Sequence, residues 1–230
     1  MIRVFIGYDS NETVAFHVLA HSIMRQASKP IAITGLKLSQ LPMTRTRDPK
    51  QSTEFSFSRF LVPHLCDYQG HAIFVDCDFL CRADIASLRY SYDAPVSVVK
   101  HDYKPRTEDK FLGNRQTVYA KKNWSSLMVF NNAKCKALTP AYVNKASGLE
   151  LHQFKWTDEN EIGDLDPAWN HLVDEYPANP FAKMVHFTRG GPWFAKYRDC
   201  EFSREWRTEL ALTTYRNTVG EYSLPAKAAA

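Results

Sequence analysis

A chain of 230 residues, 44% hydrophobic and 13% aromatic, carries enough apolar surface to bury one sizeable α/β core, which excludes a disordered chain. The formal net charge is +4, but the basic residues are scattered and no run of five like charges occurs, which excludes a nucleic-acid signature and leaves a mild bias towards anionic ligands. The cysteines Cys66, Cys77, Cys81, Cys135 and Cys200 are odd in number and contain no C-x-x-C pair, which argues against a zinc or dithiol redox motif; reduced thiols in a cytoplasmic protein are the expectation.

The chain opens on the strand-like run Ile2–Tyr8, with no basic leader or small-residue cleavage site, and no stretch of roughly eighteen apolar residues follows, so a soluble, unprocessed protein is expected. Asp9, Ser10 and Asn11 supply candidate caps for a helix whose Ala15, Phe16, Leu19, Ala20, Ile23, Met24 and Ala27 share a broad face, until Lys29-Pro30 ends it. Ile31–Leu38 returns as a strand and completes a βαβ unit. The polar, turn-rich stretch 39–53 leads to Glu54–Leu65, where Phe57, Phe60, Leu61 and Leu65 predict a second helix with Pro63 near its end. A strand through Ile73–Val75 runs into Asp76-Cys77-Asp78, and Ala83–Leu88 reads as a short helical turn. Val96–Lys100 and Ser126–Phe130 are further strands on either side of a polar, basic stretch at 101–123. Beyond Asn144 the pattern loosens into aromatic-rich loops, with Lys183–Phe187 as the last strand. The alternation predicts a Rossmann-like, doubly wound mixed sheet in a single domain over 1–225, with 226–230 as a tail.

The chemistry concentrates at the end of the Ile73–Val75 strand. Two carboxylates one residue apart repel unless they are solvated or bridged by a cation, and in an open α/β sheet ligands bind outside the carboxyl ends of strands. A hard divalent cation, Mg²⁺ or Mn²⁺, takes one or two carboxylates and completes its shell with water and phosphate oxygens, so a metal-bound diphosphate is one reading of Asp76 and Asp78. Capping of the following turn is the other. An apolar strand followed by D-x-D also describes haloacid-dehalogenase-type phosphatases, with "IGDLD" at 162–166 as a later acidic motif, although Phe79-Leu80 stand where Gly-Thr is usual there.

The block "FSFSRFLVPHLCDYQGHAIFVDCDFLCRADIASL" at 55–88 resembles the core signature of family 8 glycosyltransferases, the glycogenin and lipopolysaccharide galactosyltransferase group. "SSLMVFN" at 125–131 and "HFTRGGPW" at 186–193 resemble two later elements of that family, and with "IGYDSN" at the start the likeness spans about residues 2–194. The resemblance implies a GT-A (nucleotide-diphospho-sugar transferase) fold. It implies a hexosyltransferase that takes a sugar from a nucleotide-diphosphate sugar, usually a UDP-sugar, to a glycan or other hydroxyl acceptor, with retention and with Mn²⁺ or Mg²⁺. By the same resemblance Asp76, Asp78 and His186 hold the metal, and Arg59 lies near the donor sugar and pyrophosphate. Tyr8, Asp9 and Asn11 cradle base and ribose, Cys77 sits within the metal motif, and Arg189 and Gly190 stand near the phosphates. Asp158 and Asn160 of "DEN" match the element near the reacting carbon, and with Arg59 are the candidate catalytic residues. Two departures stand out: the family's Lys before Pro-Trp is absent, leaving Arg189 as the candidate cation, and Trp124-Ser125-Ser126 replaces the usual Asn-Ser-Gly. A catalytically degenerate module that binds a nucleotide sugar or glycan is the alternative these departures keep open.

Overall fold

The computed structural model of the protein describes residues 1–46, 51–102, 104, 112 and 119–214. Its strands are β1 (Ile2–Gly7), β2 (Ile31–Leu36), β3 (His71–Val75), β4 (Phe79–Cys81), β5 (Val96–Val98), β6 (Leu127–Asn131), β7 (Gly163–Asp164), β8 (His171–Leu172) and β9 (Met184–His186). The helices are α1 (Thr13–Gln26), α2 (Val62–Leu65), α3 (Pro140–Lys145), α4 (Gly148–His152) and α5 (Ser203–Thr214). Among the described residues the strands form a six-stranded sheet ordered β2-β1-β3-β6-β5-β7 and a three-stranded sheet ordered β4-β9-β8.

The apolar runs place themselves centrally. β1 pairs in parallel with both β2 and β3, and β6 runs antiparallel between β3 and β5, so the sheet is mixed, as the alternation of elements predicts. Because β6 runs backwards, its start at Leu127 lies beside the end of β3 at Val75. The loop after β1, the end of β3 and the segment Ser125-Ser126 therefore share one sheet edge.

Two apolar clusters hold the molecule. The larger contains Ile6, Leu19, Phe60, Phe74, Phe130 and Trp169; the smaller contains Val18, Leu80, Val185, Phe187 and Trp206. Helix α1 serves both, with Leu19 and Ile23 in the first and Val18 in the second. Its Ser22 hydroxyl also accepts the Cys81 N–H at 3.1 Å, tying α1 to the small sheet.

Several expectations are corrected. The N-cap position of α1 is Glu12, whose side chain makes no capping hydrogen bond; Asp9, Ser10 and Asn11 do not occupy it, and Asp9 does other work described below. The helix expected over 54–65 is broken into turns, a 3₁₀ segment Ser58–Leu61 and the short α2. Pro63 lacks the N–H that would continue the ladder, so it stands in the first turn of α2 and opens that helix. The region beyond Asn144 contains α4 and α5, not loops alone, and α3 precedes it. The stretch 101–123 lies in large part, and the tail 226–230 entirely, outside the described residues, as do residues 47–50 of the turn-rich stretch. No helix among the described residues is long and apolar enough to cross a membrane, and all five cysteines are free thiols.

Candidate functional site

The chain leaves the large sheet at Val75 and enters the small one at Phe79, and the three residues between them carry the two carboxylates. The Asp76 N–H donates to Ser126 O at 2.9 Å, holding the first to β6, while Asp78 O accepts the Phe187 N–H at 2.9 Å, holding the second to the end of β9. Cys77 is fully buried in the larger apolar cluster, so the D-x-D spacing turns both aspartates away from the core. Burial first, and then the surrounding carboxylates of Glu12, Asp78, Asp76 and Asp9, push the Cys77 thiol well above its ordinary range.

His186 arrives on β9, directly opposite Phe79 in the β4–β9 ladder. Its ring stacks on Phe79 with centroids 4.3 Å apart and planes 14° from parallel. One ligand-capable atom from each of Asp76, Asp78 and His186 lies within 4.8 Å of the other two. His186 Nε2 stands 3.4 Å from Asp78 Oδ2, and on the far side of the ring Nδ1 lies 3.1 Å from Asn170 Oδ1. The donor set is two carboxylates and one imidazole with its second nitrogen engaged, which suits a divalent cation of the Mn²⁺ or Mg²⁺ kind.

Arg59 completes the other flank. From the segment Ser58–Leu61 its Nη1 donates to Ser125 O at 2.8 Å and pairs with Asp76 Oδ1 at 2.6 Å, with only 6% of the arginine side chain exposed. The guanidinium also lies 5.2 Å from the Phe55 ring centroid and 5.0 Å from that of Phe74. One carboxylate thus has a fixed cation beside it, and the other has an imidazole. Tyr119 stands close enough to feel both Arg59 and Asp76, although burial is the main reason its phenol is raised.

The remaining predicted residues fall into three groups. Asp9, buried at the same sheet edge, uses Oδ1 to accept the Asn11 backbone N–H at 2.8 Å and the Asn11 amide at 3.1 Å, and Oδ2 to accept the Glu54 N–H at 2.9 Å. It therefore ties the loop after β1 to the segment before Arg59. A Cβ at Gly7 would run into the Phe55 ring, so this crossing requires glycine there. Tyr8 Oη lies 3.2 Å from Thr13 Oγ1 at the start of α1. Arg189 and Gly190 form the turn after β9, where Gly190 has φ +129° and donates to Phe187 O at 2.7 Å, while Arg189 Nε lies 3.5 Å from the buried Glu175. Asp158 and Asn160 sit on an exposed 3₁₀ turn, where Asp158 Oδ1 caps the Asn160 N–H at 2.9 Å.

Sequence reasoning missed Asn170, Ser126 and Tyr119 at this site. Asn170 is fully buried on the residue before β8 and bridges the two halves: its Nδ2 donates to Ser126 Oγ at 2.9 Å and lies 3.4 Å from Asn123 O. His101 is a further neighbour, buried with Nδ1 3.0 Å from Tyr176 Oη; burial, with His186 nearby, pushes it down to about 3, so the ring is neutral. An amide among aromatic residues carries no sequence signal of its own.

Solved structures similar to this one include glycosyltransferases. The chain superposes on the WbbM bifunctional glycosyltransferase with a TM-score of 0.61 at 14% identity, over 91% of this chain and 49% of that one. For the galactosyltransferase LgtC, solved with donor and acceptor sugar analogues, the values are 0.55 and 10%, over 94% and 98% of the two chains. For GlyE of Streptococcus pneumoniae TIGR4 they are 0.56 and 13%, over 91% and 60%. The chain thus spans about half of WbbM and three fifths of GlyE, and it has the GT-A glycosyltransferase fold. No family model matches it. It is 46% identical over 221 residues to Protein CDI of Arabidopsis thaliana, covering 90% of this chain and 85% of the relative, and it belongs to the family of that protein.

Proposed function

We propose that the chain is a divalent-cation-dependent hexosyltransferase of the family 8 kind. It moves a sugar from a nucleotide-diphosphate sugar, with a UDP-sugar as donor, to a hydroxyl of a glycan or other acceptor, with retention. The observation that carries this reading is the convergence of Asp76, Asp78 and His186 within 4.8 Å at the end of β3 in a GT-A fold. The GT-A fold removes the structural ground for the phosphatase alternative.

When bound, Mn²⁺ or Mg²⁺ supplies positive charge against the departing diphosphate. The protein's own residues do the rest. Asp76, Asp78 and His186 hold the cation, and Arg59 keeps Asp76 oriented while presenting its guanidinium towards the donor sugar. Tyr8, Asp9 and Asn11 shape the loop for base and ribose, Cys77 contributes through its backbone, and Arg189 and Gly190 form the turn beside the phosphates. Asp158 and Asn160, on their exposed turn, are assigned to the reacting carbon. LgtC, a galactosyltransferase solved with both donor and acceptor analogues, supports a cleft for two substrates. The five free thiols support a cytoplasmic location.

One observation favours a second reading, binding without turnover. The lysine usual before Pro-Trp is absent, and its substitute Arg189 is drawn to the buried Glu175 at 3.5 Å. A panel of nucleotide sugars with and without Mn²⁺, read by thermal shift and by nucleoside diphosphate release, separates the two. We expect metal-dependent stabilisation by one nucleotide class and slow release, with release lowered by about 1,000-fold in Asp78→Ala, roughly 4 kcal/mol of barrier. Stabilisation without release selects the binding module, and no metal-dependent stabilisation by any nucleotide sinks both.

A further inference from the structure

We propose that Asn170 is a positioning residue that fixes the tautomer of His186 and so makes Nε2 the cation-facing atom. The inference rests on the reading of Asp76, Asp78 and His186 as cation ligands, and it follows from hydrogen-bond logic alone. Asn123 O is a carbonyl and can only accept. The Ser126 hydroxyl donates to it at 2.7 Å, which uses the only proton on that oxygen. Ser126 Oγ must then accept from Asn170, so the NH₂ end of the amide faces Ser126 at 2.9 Å. This orients Oδ1 towards His186, and at 3.1 Å Nδ1 must carry the proton.

With Nδ1–H given to Asn170, Nε2 is the atom turned towards Asp78 Oδ2, 3.4 Å away. A cation between them engages the lone pair that this tautomer leaves on Nε2 together with the carboxylate. Without Asn170, Asp78 would select the opposite tautomer by accepting a proton from Nε2, and that form has no lone pair facing the carboxylates. Asn170 is fully buried and His186 is 2% exposed, so in the intact protein the amide and not bulk water meets Nδ1. The same Ser126 also accepts the Asp76 N–H through its carbonyl at 2.9 Å, so one small network sets both flanks of the site.

The test uses the full chain at pH 8, with Mn²⁺ titrated by electron paramagnetic resonance and the His186 nitrogens read by ¹⁵N NMR of the metal-free protein. Asn170→Ala is expected to weaken Mn²⁺ binding about 10- to 100-fold and to move the proton from Nδ1 to Nε2. Asn170→Asp, which keeps the acceptor, is expected to restore both, and Ser126→Ala, which frees the amide to rotate, to give an intermediate loss; these two carry the test if Asn170→Ala does not fold. Unchanged Mn²⁺ affinity with Nδ1 still protonated in Asn170→Ala, or in Ser126→Ala together with loss in Asn170→Asp, overturns the proposal. Failure of the unsubstituted chain to take up Mn²⁺ with or without nucleotide overturns the cation reading, and the NMR result then decides the tautomer on its own.

Discussion

The large sheet and the small sheet solve the same problem, a buried charge at the sheet edge, in different ways. On the large-sheet side Asp76 meets Arg59, a permanently charged group reached 17 positions earlier in the chain, at 2.6 Å. On the small-sheet side Asp78 meets His186, a group whose partner state is set by an amide, across a register that pairs Phe79 with His186. The first arrangement depends on local chain and a central β-ladder. The second depends on β9 docking beside β4, where Val185 packs in the smaller cluster with Trp206 from α5 while Met184, Phe79 and Cys81 reach into the larger one. The carboxylate pair is thus divided between two regions of unequal size, and the site is whole only when both are folded.

The largest test of that contrast is Phe130→Ala. Phe130 is fully buried on β6, opposite Ala72 of β3 and Val96 of β5, and truncation is expected to cost about 3–5 kcal/mol of global stability, read as a shift of the denaturation midpoint with unchanged slope. A smaller and more local loss is expected from Glu209→Ala. Glu209 on α5 has 4% of its side chain exposed and pairs with His21 and Arg25 of α1; Arg25 Nη2 lies 2.7 Å from Oε2. The hydrogen bond to Glu209 is the first cause of the raised Arg25 pKa. Because Arg25 is about a third exposed, about 1–3 kcal/mol is expected, below the cost of breaking a fully buried pair. Hydrogen exchange should rise in α5 and β9 with the large sheet unaffected. Equal exposure of both regions would show that they open as one unit and dissolve the comparison.

The same division explains what could be read from the sequence. β1, α1, β2, β3 and β6 announce themselves because their apolar residues recur at strand or helix spacing against one large cluster. Helix α5 does not: its buried residues are Ser203, Trp206 and Glu209, so its inward face is one apolar residue and two polar ones, held by ion pairs that no hydrophobic pattern encodes. β7 and β8 are two residues each, too short to show a period. The segment around Phe57 and Phe60 has helical spacing, yet Pro63 divides it, and burial of both rings survives the broken helix. At the site, Asp76 and Asp78 are visible as unexplained neighbouring charges after a strand, and His186 only through a motif resemblance. Asn170 is invisible because its role exists only after the two sheets meet.

His152 sharpens the comparison through pH. It ends α4 on the large-sheet side, with Nδ1 2.8 Å from Ser125 Oγ and its ring edge-on to Phe60 at 5.3 Å. Burial, and next the Arg59 guanidinium, pushes its pKa down to about 3. The unfolded chain takes up this proton near the ordinary value of about 6.5, so between about 6.5 and 3 the unfolded state binds more protons. Stability is therefore fully present above pH 6.5 and falls as the pH is lowered through that window. A wholly desolvated ring would lose about 2 kcal/mol at pH 5, and because His152 keeps some contact with solvent about 1 kcal/mol is expected. In His152→Gln the difference in stability between pH 7 and pH 5 should shrink by that amount, measured by urea unfolding at the two values. An unchanged difference would locate the acid sensitivity elsewhere, and His101, neutral beside His186, would be the next imidazole to replace.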